Sequence, residues 1–231
     1  MTNHSLYPAL VFDMDGLIFD TERLVRRCWH ELGETYQLTD IDELFLTTVG
    51  TTRKHTGEIL CAHYGADFPQ EAFSADVSRL FHSIADTEGI PVMTGAREIL
   101  AWASTQGFHI GLATSTRQVT AEAELKHAGL FDYFDYILGG DRIARSKPFP
   151  DIYLTICRDM GIAPSNAFGI EDSYNGIRAA SQAGMHPIMI PDILPPTEEM
   201  HQLCHTILPD LTALRTFLQQ TYINEPQTAT V

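Results

Sequence analysis

The stretch Ala9–Leu24, ALVFDMDGLIFDTERL, runs apolar into an Asp, allows one Met, and then sets a second Asp before a Gly. An apolar run ending in turn formers reads as a buried strand, which puts Asp13 and Asp15 at its carboxyl end. Burying one carboxylate is costly, and two in close sequence repel each other. Asp and Gly are also ordinary turn formers, so this stretch taken alone leaves both punctuation and chemistry open.

Outward from it, FHIGLATS (Phe108 to Ser115) and NAFGIEDS (Asn166 to Ser173) repeat the same form, an apolar run closing on polar residues. YFDYILGG (Tyr133 to Gly140) and HPIMI (His186 to Ile190) read as further strands. Helical patterns lie between several of them. Leu100 and Ala103 belong to a helix ended near Gly107, while Val119, Ala123 and Leu125 belong to another, ended by Gly129. Strand and helix in alternation predict a parallel α/β sheet.

Between Glu22 and about Gly89 the strand pattern stops. Leu24, Val25, Cys28, Trp29 and Leu32 form one helical stripe before Gly33, and Phe73, Val77, Leu80, Phe81 and Ile84 form another. Residues 20–90 therefore read as a helical insertion placed directly after the first strand, between core segments 1–19 and 91–223. Hung there, it would sit over the carboxyl ends of the strands. The tail, residues 224–231, reads as flexible.

With 231 residues the chain can bury a core without staples, and 30 acidic against 15 basic residues give a formal charge of −15. That balance argues against a general nucleic-acid or anionic-membrane surface. No run approaches the roughly 20 apolar residues that span a bilayer, and the start lacks a secretory pattern, so a cytoplasmic location is expected. Cys28, Cys61, Cys157 and Cys204 show no C-x-x-C pairing, sit among apolar neighbours and read as buried free thiols.

Ligands of open α/β sheets bind beyond the carboxyl ends of the strands. There the sequence puts Asp13 and Asp15, then Thr114 and Ser115, then Glu171 and Asp172. Of the three lysines, Lys54, Lys126 and Lys147, the last stands in SKPFPDIY, where prolines fix the loop and PDIY can open a helix. Four clustered carboxylates with one lysine leave an excess of negative charge, and a like pair at 4 Å costs about 4 kcal/mol at an effective dielectric near 20. Such a group needs a cation. An all-oxygen donor set suits Mg²⁺ better than Zn²⁺.

FDMDGLIFDTE, LATST, SKPFPDIY and GIEDSYNGI, in that order and spacing, resemble the haloacid dehalogenase-like hydrolase superfamily, in the branch that includes β-phosphoglucomutase. The resemblance implies a Rossmann-like three-layer core with an α-helical cap, and a phosphoric monoester hydrolase using Mg²⁺. It implies that Asp13 attacks phosphorus to form an aspartyl-phosphate while Asp15 protonates the leaving oxygen and then activates water. Thr114, Ser115 and Lys147 would hold the phosphoryl oxygens. Asp13, the backbone carbonyl of Asp15, and Asp172 would hold the metal, with Glu171 as a further ligand or directly behind it. Glu22 and Arg53, the latter in VGTTRKH, are the implied substrate contacts of the cap.

A dehalogenase or a phosphonoacetaldehyde hydrolase would not keep Asp15. A mutase would, but it places a His about one turn after the position matched by Asp20-Thr21-Glu22, where this chain has Val25. The expected function is therefore hydrolysis of a small phosphomonoester, a sugar phosphate or nucleotide-like compound, by a monomer. A β-phosphoglucomutase-type mutase is the alternative. A phospho-Asp signalling module or a non-catalytic binding protein is more remote, because receiver domains are about half this length and order their motifs differently.

Overall fold

The computed structural model describes residues 8–51 and 53–224. The chain divides into two compact units, one running through Phe19 and resuming at Val92, the other Asp20–Pro91.

In the first unit the opening run forms β1 (Ala9–Phe12), every residue of which is buried. After the second unit come α5 (Ala96–Gln106), β2 (Ile110–Ala113), α6 (Gln118–His127), β3 (Tyr136–Leu138), α7 (Asp151–Asp159), β4 (Ala167–Glu171), α8 (Tyr174–Gln182), β5 (His186–Met189), α9 (Glu198–Leu203), β6 (Thr206–Ile207) and α10 (Leu211–Leu218). Among the described residues the six strands make one parallel sheet in the order β3-β2-β1-β4-β5-β6. The core is Rossmann-like and three-layered. Successive strands are added to one side of β1 up to β3 and to the other side from β4 onward, so the crevice beyond the carboxyl ends of β1 and β4 is the switch point at which such folds bind ligands.

Alternation along β1 sends Ala9 and Val11 to a face packed by Ile152, Tyr153 and Ile156 of α7 and Ala179 and Ala180 of α8, all buried. Leu10 and Phe12, fully buried, point to the other face.

The second unit holds α1 (Thr21–Tyr36), α2 (Ile41–Thr48), α3 (Arg53–Tyr64) and α4 (Gln70–Glu88). Asp20 caps α1, its carboxylate accepting from Arg23 N at 3.3 Å. Trp29 is this unit's anchor, meeting Phe45 and Phe73 edge-on at centroid distances of 5.4 and 5.2 Å.

The structure adds detail to several of the elements read from the sequence. Helix α1 carries the stripe that precedes Gly33 and continues to Tyr36, with Gly33 buried inside it. Val119, Ala123 and Leu125 do share one helix before Gly129, α6, in which Ala121 and Leu125 are the buried residues while Val119 is 69% exposed and Ala123 faces solvent. Only three residues of the YFDYILGG segment enter the sheet: Phe131–Tyr133 is a 3-10 turn, and the Asp135 carboxylate accepts from Ile110 N at 2.9 Å, a side chain pairing that backbone N–H beside the ladder. Strand β6, two residues at the edge, is too short to leave a periodic signal.

The four cysteines are free; Cys28 and Cys157 are buried as expected, whereas Cys61 and Cys204 are only partly buried. Among the described residues no helix is long and apolar enough to cross a membrane. Of the tail read as flexible, residues 225–231 lie outside the described residues; Asn224 ends a final helical turn, Gln219–Asn224.

Candidate active site

Because β1 and β4 are neighbours in register, Asp13 N donates to Ile170 O at 2.9 Å, and the Asp13 side chain emerges beside Glu171 and Asp172. The three carboxylates each offer an oxygen within 4.8 Å of the others. Lys147, at the start of the loop into α7, reaches into this cluster with its side chain only 7% exposed. Its ammonium donates to Asp13 Oδ1 and to Ala113 O at 3.0 Å, and lies 2.6 Å from Glu171 Oε1.

Glu171 is fully buried and engaged on both oxygens. The Tyr153 hydroxyl donates to Oε1 at 2.5 Å, and the Ser173 hydroxyl donates to Oε2 at 3.1 Å while accepting from Gly176 N as the cap of α8. Tyr153 and Ser173 had no assigned role in the sequence reading, although both stand inside the quoted motifs.

The second aspartate faces a different set of partners. Asp15 Oδ2 accepts from the Thr116 hydroxyl at 2.8 Å and, more weakly, from the Thr114 hydroxyl at 3.4 Å. Gly16 follows at φ +77, where its N–H donates to Phe19 O at 2.8 Å. A side chain at Gly16 would come within 2.5 Å of Asp172 Oδ2, so the glycine both permits the turn and admits the third carboxylate. Ser115 is exposed beside these residues.

The electrostatics are those of a cluster short of positive charge. Burial, reinforced by Glu171 and Asp15 and opposed by Lys147, pushes the Asp13 carboxyl up from 3.8 to about 7. Burial and the nearby Asp13 and Glu171 likewise raise Asp172 well above the carboxylate range. Burial presses the Lys147 ammonium down, but Asp13 and Glu171 outweigh it and hold the lysine charged. One lysine does not neutralise this group, and its buried all-oxygen donor set fits a hard divalent cation such as Mg²⁺.

The haloacid dehalogenase-like hydrolase family model matches residues 10–190, from the first strand to the end of the fifth. This chain belongs to that family.

As a haloacid dehalogenase-like hydrolase it is similar to a phosphorylated carbohydrates phosphatase of Thermotoga maritima, 30% identical over 184 residues that span 78% of this chain and 83% of the relative. It is 29% identical to fructose-1-phosphate phosphatase YqaB of Escherichia coli, over 79% of this chain and 95% of that one. Among solved structures, CbbY from Rhodobacter sphaeroides in complex with phosphate superposes with a TM-score of 0.67 at 27% identity, covering 90% of this hydrolase and 96% of CbbY.

The remaining residues singled out from the sequence lie in the hydrolase's other compact unit. Glu22 is in the first turn of α1, and Val25, half-buried, in the second. Arg53 opens α3, and its side chain is outside the described residues.

Proposed function

We propose that this hydrolase is a Mg²⁺-dependent phosphatase that cleaves a small phosphomonoester of the sugar-phosphate class through an aspartyl-phosphate on Asp13. The observation that carries the reading is the joining of Asp13, Lys147 and Asp172 at the β1/β4 switch point, a carboxylate nucleophile held beside one ammonium and beside a carboxylate that could hold a cation, which together would offset the charge of a phosphoryl dianion. An Asp13 oxygen bonds to phosphorus as the bond to the leaving oxygen breaks, and that oxygen takes the proton of Asp15. Water then attacks phosphorus, gives its proton to Asp15, and phosphate leaves as the acyl-phosphate bond opens.

Lys147, the Thr114 hydroxyl and backbone N–H groups around Ser115 would hold the phosphoryl oxygens, since positioning and charge neutralisation are most of what phosphoryl transfer needs. Mg²⁺ would be held by Asp13, Asp172 and the Asp15 carbonyl, where it would supply charge neutralisation. Glu171, both of whose oxygens already accept from protein donors, is better suited to fixing Lys147 than to binding the ion directly. The helical unit would serve as the cap, with Glu22 and Arg53 as substrate contacts.

The sugar-phosphate class is supported by the relatives, one named for phosphorylated carbohydrates and one for fructose 1-phosphate. Hydrolysis rather than transfer is supported by Val25, which offers no proton and no hydrogen bond where a mutase needs a His. The test supplies Mg²⁺ and a panel of phosphomonoesters, fructose 1-phosphate among them, alongside β-glucose 1-phosphate with a bisphosphate primer. Steady phosphate release from at least one monoester, with little glucose 6-phosphate formed, is expected. Primer-dependent isomerisation without phosphate release would instead establish a mutase.

A further inference from the structure

We propose that Thr116 is a positioning residue for the acid–base carboxylate, fixing the rotamer of Asp15 through its hydroxyl; this rests on the phosphatase reading above. The shorter of the two hydroxyl contacts to Asp15 Oδ2 comes from Thr116, at 2.8 Å against 3.4 Å from Thr114. Thr114 serves Thr116 in turn, its hydroxyl accepting from Thr116 N at 3.0 Å. The two threonines of LATST thus divide the work. Thr114, fully buried, sets the backbone, and Thr116, half-buried, reaches the carboxylate.

The segment that carries Thr116 is held on both sides. Thr114 N donates to Leu138 O at 3.1 Å, and Gly140 N donates to Thr116 O at 2.9 Å. Beyond it, the Gln118 amide spans the end of β3, donating to Ile137 O at 3.0 Å and accepting from Gly139 N at 2.7 Å. A side chain at Gly140 would fall within 3.0 Å of Ser115 Cα, so this close approach requires glycine. A hydroxyl on backbone pinned in this way is a fixed reference point.

Asp15 rotates about two side-chain bonds, and as an acid it is useful only when its proton lies along the path of the leaving oxygen. In the first step the Asp13–phosphorus bond forms, the phosphorus–oxygen bond to the alcohol breaks, and the departing electron pair takes the Asp15 proton. An alkoxide needs that proton, whereas an aryl oxide such as 4-nitrophenolate leaves without it. Loss of Asp15 orientation should therefore be felt selectively, by substrates with poor leaving groups.

The experiment compares Thr116→Val and Thr116→Ser with the wild type on fructose 1-phosphate and 4-nitrophenyl phosphate in Mg²⁺, reading kcat/KM, which reports the first step. Because a small misplacement of a catalytic group can cost about 100-fold, Thr116→Val is expected to lose roughly 10- to 100-fold on the sugar phosphate and under about 3-fold on the aryl phosphate. Thr116→Ser should restore most of the loss, and the inhibition constant of inorganic phosphate should hardly move. In an Asp15→Asn background, Thr116→Val should add nothing. Equal losses on both substrates, a weakened phosphate constant in proportion to the loss, or full additivity with Asp15→Asn would overturn the proposal. Should Thr116→Val not fold, Thr116→Ala is read by the same criteria. Where the wild type does not turn over fructose 1-phosphate, the alkyl phosphomonoester of the panel that it hydrolyses fastest takes its place; release from no monoester of the panel would fail the phosphatase reading itself, and the proposal with it.

Discussion

Asp13 and Asp15 are chemically alike and two residues apart, yet their surroundings separate them. Asp13 is buried against Lys147 and two further carboxylates, whereas Asp15 meets neutral hydroxyl donors. The roles should therefore separate on mutation. Asp13→Asn is expected to abolish turnover and to prevent formation of a beryllofluoride adduct, which stands in for the phosphoryl group. Asp15→Asn should lower kcat by about 10² to 10⁴, the usual share of general acid–base catalysis, while still binding the analogue. Near-normal turnover of Asp13→Asn would remove the nucleophile. Behind them, the Tyr153 hydroxyl is one of the donors that make the buried Glu171 tolerable. A hydrogen bond to a charged group is worth about 1.5 to 3 kcal/mol, so Tyr153→Phe should lose stability of that order in urea unfolding. A neutral result would mean that Lys147 and Ser173 alone suffice for Glu171.

At the scale of the element, the helix α6 shows how burial rather than apolar character decides which positions matter. Val119, Ala123 and Leu125 look alike in the sequence, but only Leu125 is buried. Leu125→Ala should cost about 2 to 5 kcal/mol through lost transfer energy and the cavity left behind. Val119→Ser, on exposed surface, should stay within about 0.5 kcal/mol of wild type. Denaturation midpoints of the two variants check this, and equal losses would refute the assigned face. Helix α1 makes the same point differently. Gly33 has poor helix propensity, but a buried glycine inside a helix anchored by Trp29 is carried along by tertiary packing.

For the whole molecule, the upward shifts of Asp13 and Asp172 have a consequence for stability. The folded metal-free protein holds protons that the unfolded chain has already released, so its stability falls as pH rises from about 4, the ordinary carboxylate range, through about 7, the Asp13 value. In chelator, the melting temperature is expected to be higher at pH 5 than at pH 7.5. Added Mg²⁺ should raise it most at pH 7.5, because binding to ionised carboxylates favours the folded state. Melting curves independent of both pH and Mg²⁺ across this range would contradict the cluster as a cation site.

The α/β alternation, the helical segment after the first strand, and the polar residues at strand ends were legible in the sequence because each is a local signal, periodicity for the elements and turn chemistry for their ends. Asp13, Asp15, Lys147, Glu171 and Asp172 stood out in the same way, as charges in unusual company. Tertiary structure alone decided the strand order, and with it the meeting of Asp13 with residues 134 and more positions away in the chain. It alone separated Thr116 from Ser115 and gave Tyr153 and Ser173 to Glu171. A hydroxyl has no charge to conceal and is unremarkable in a sequence. Its function is set by direction and distance, and these exist only once β1, β2 and β4 lie side by side.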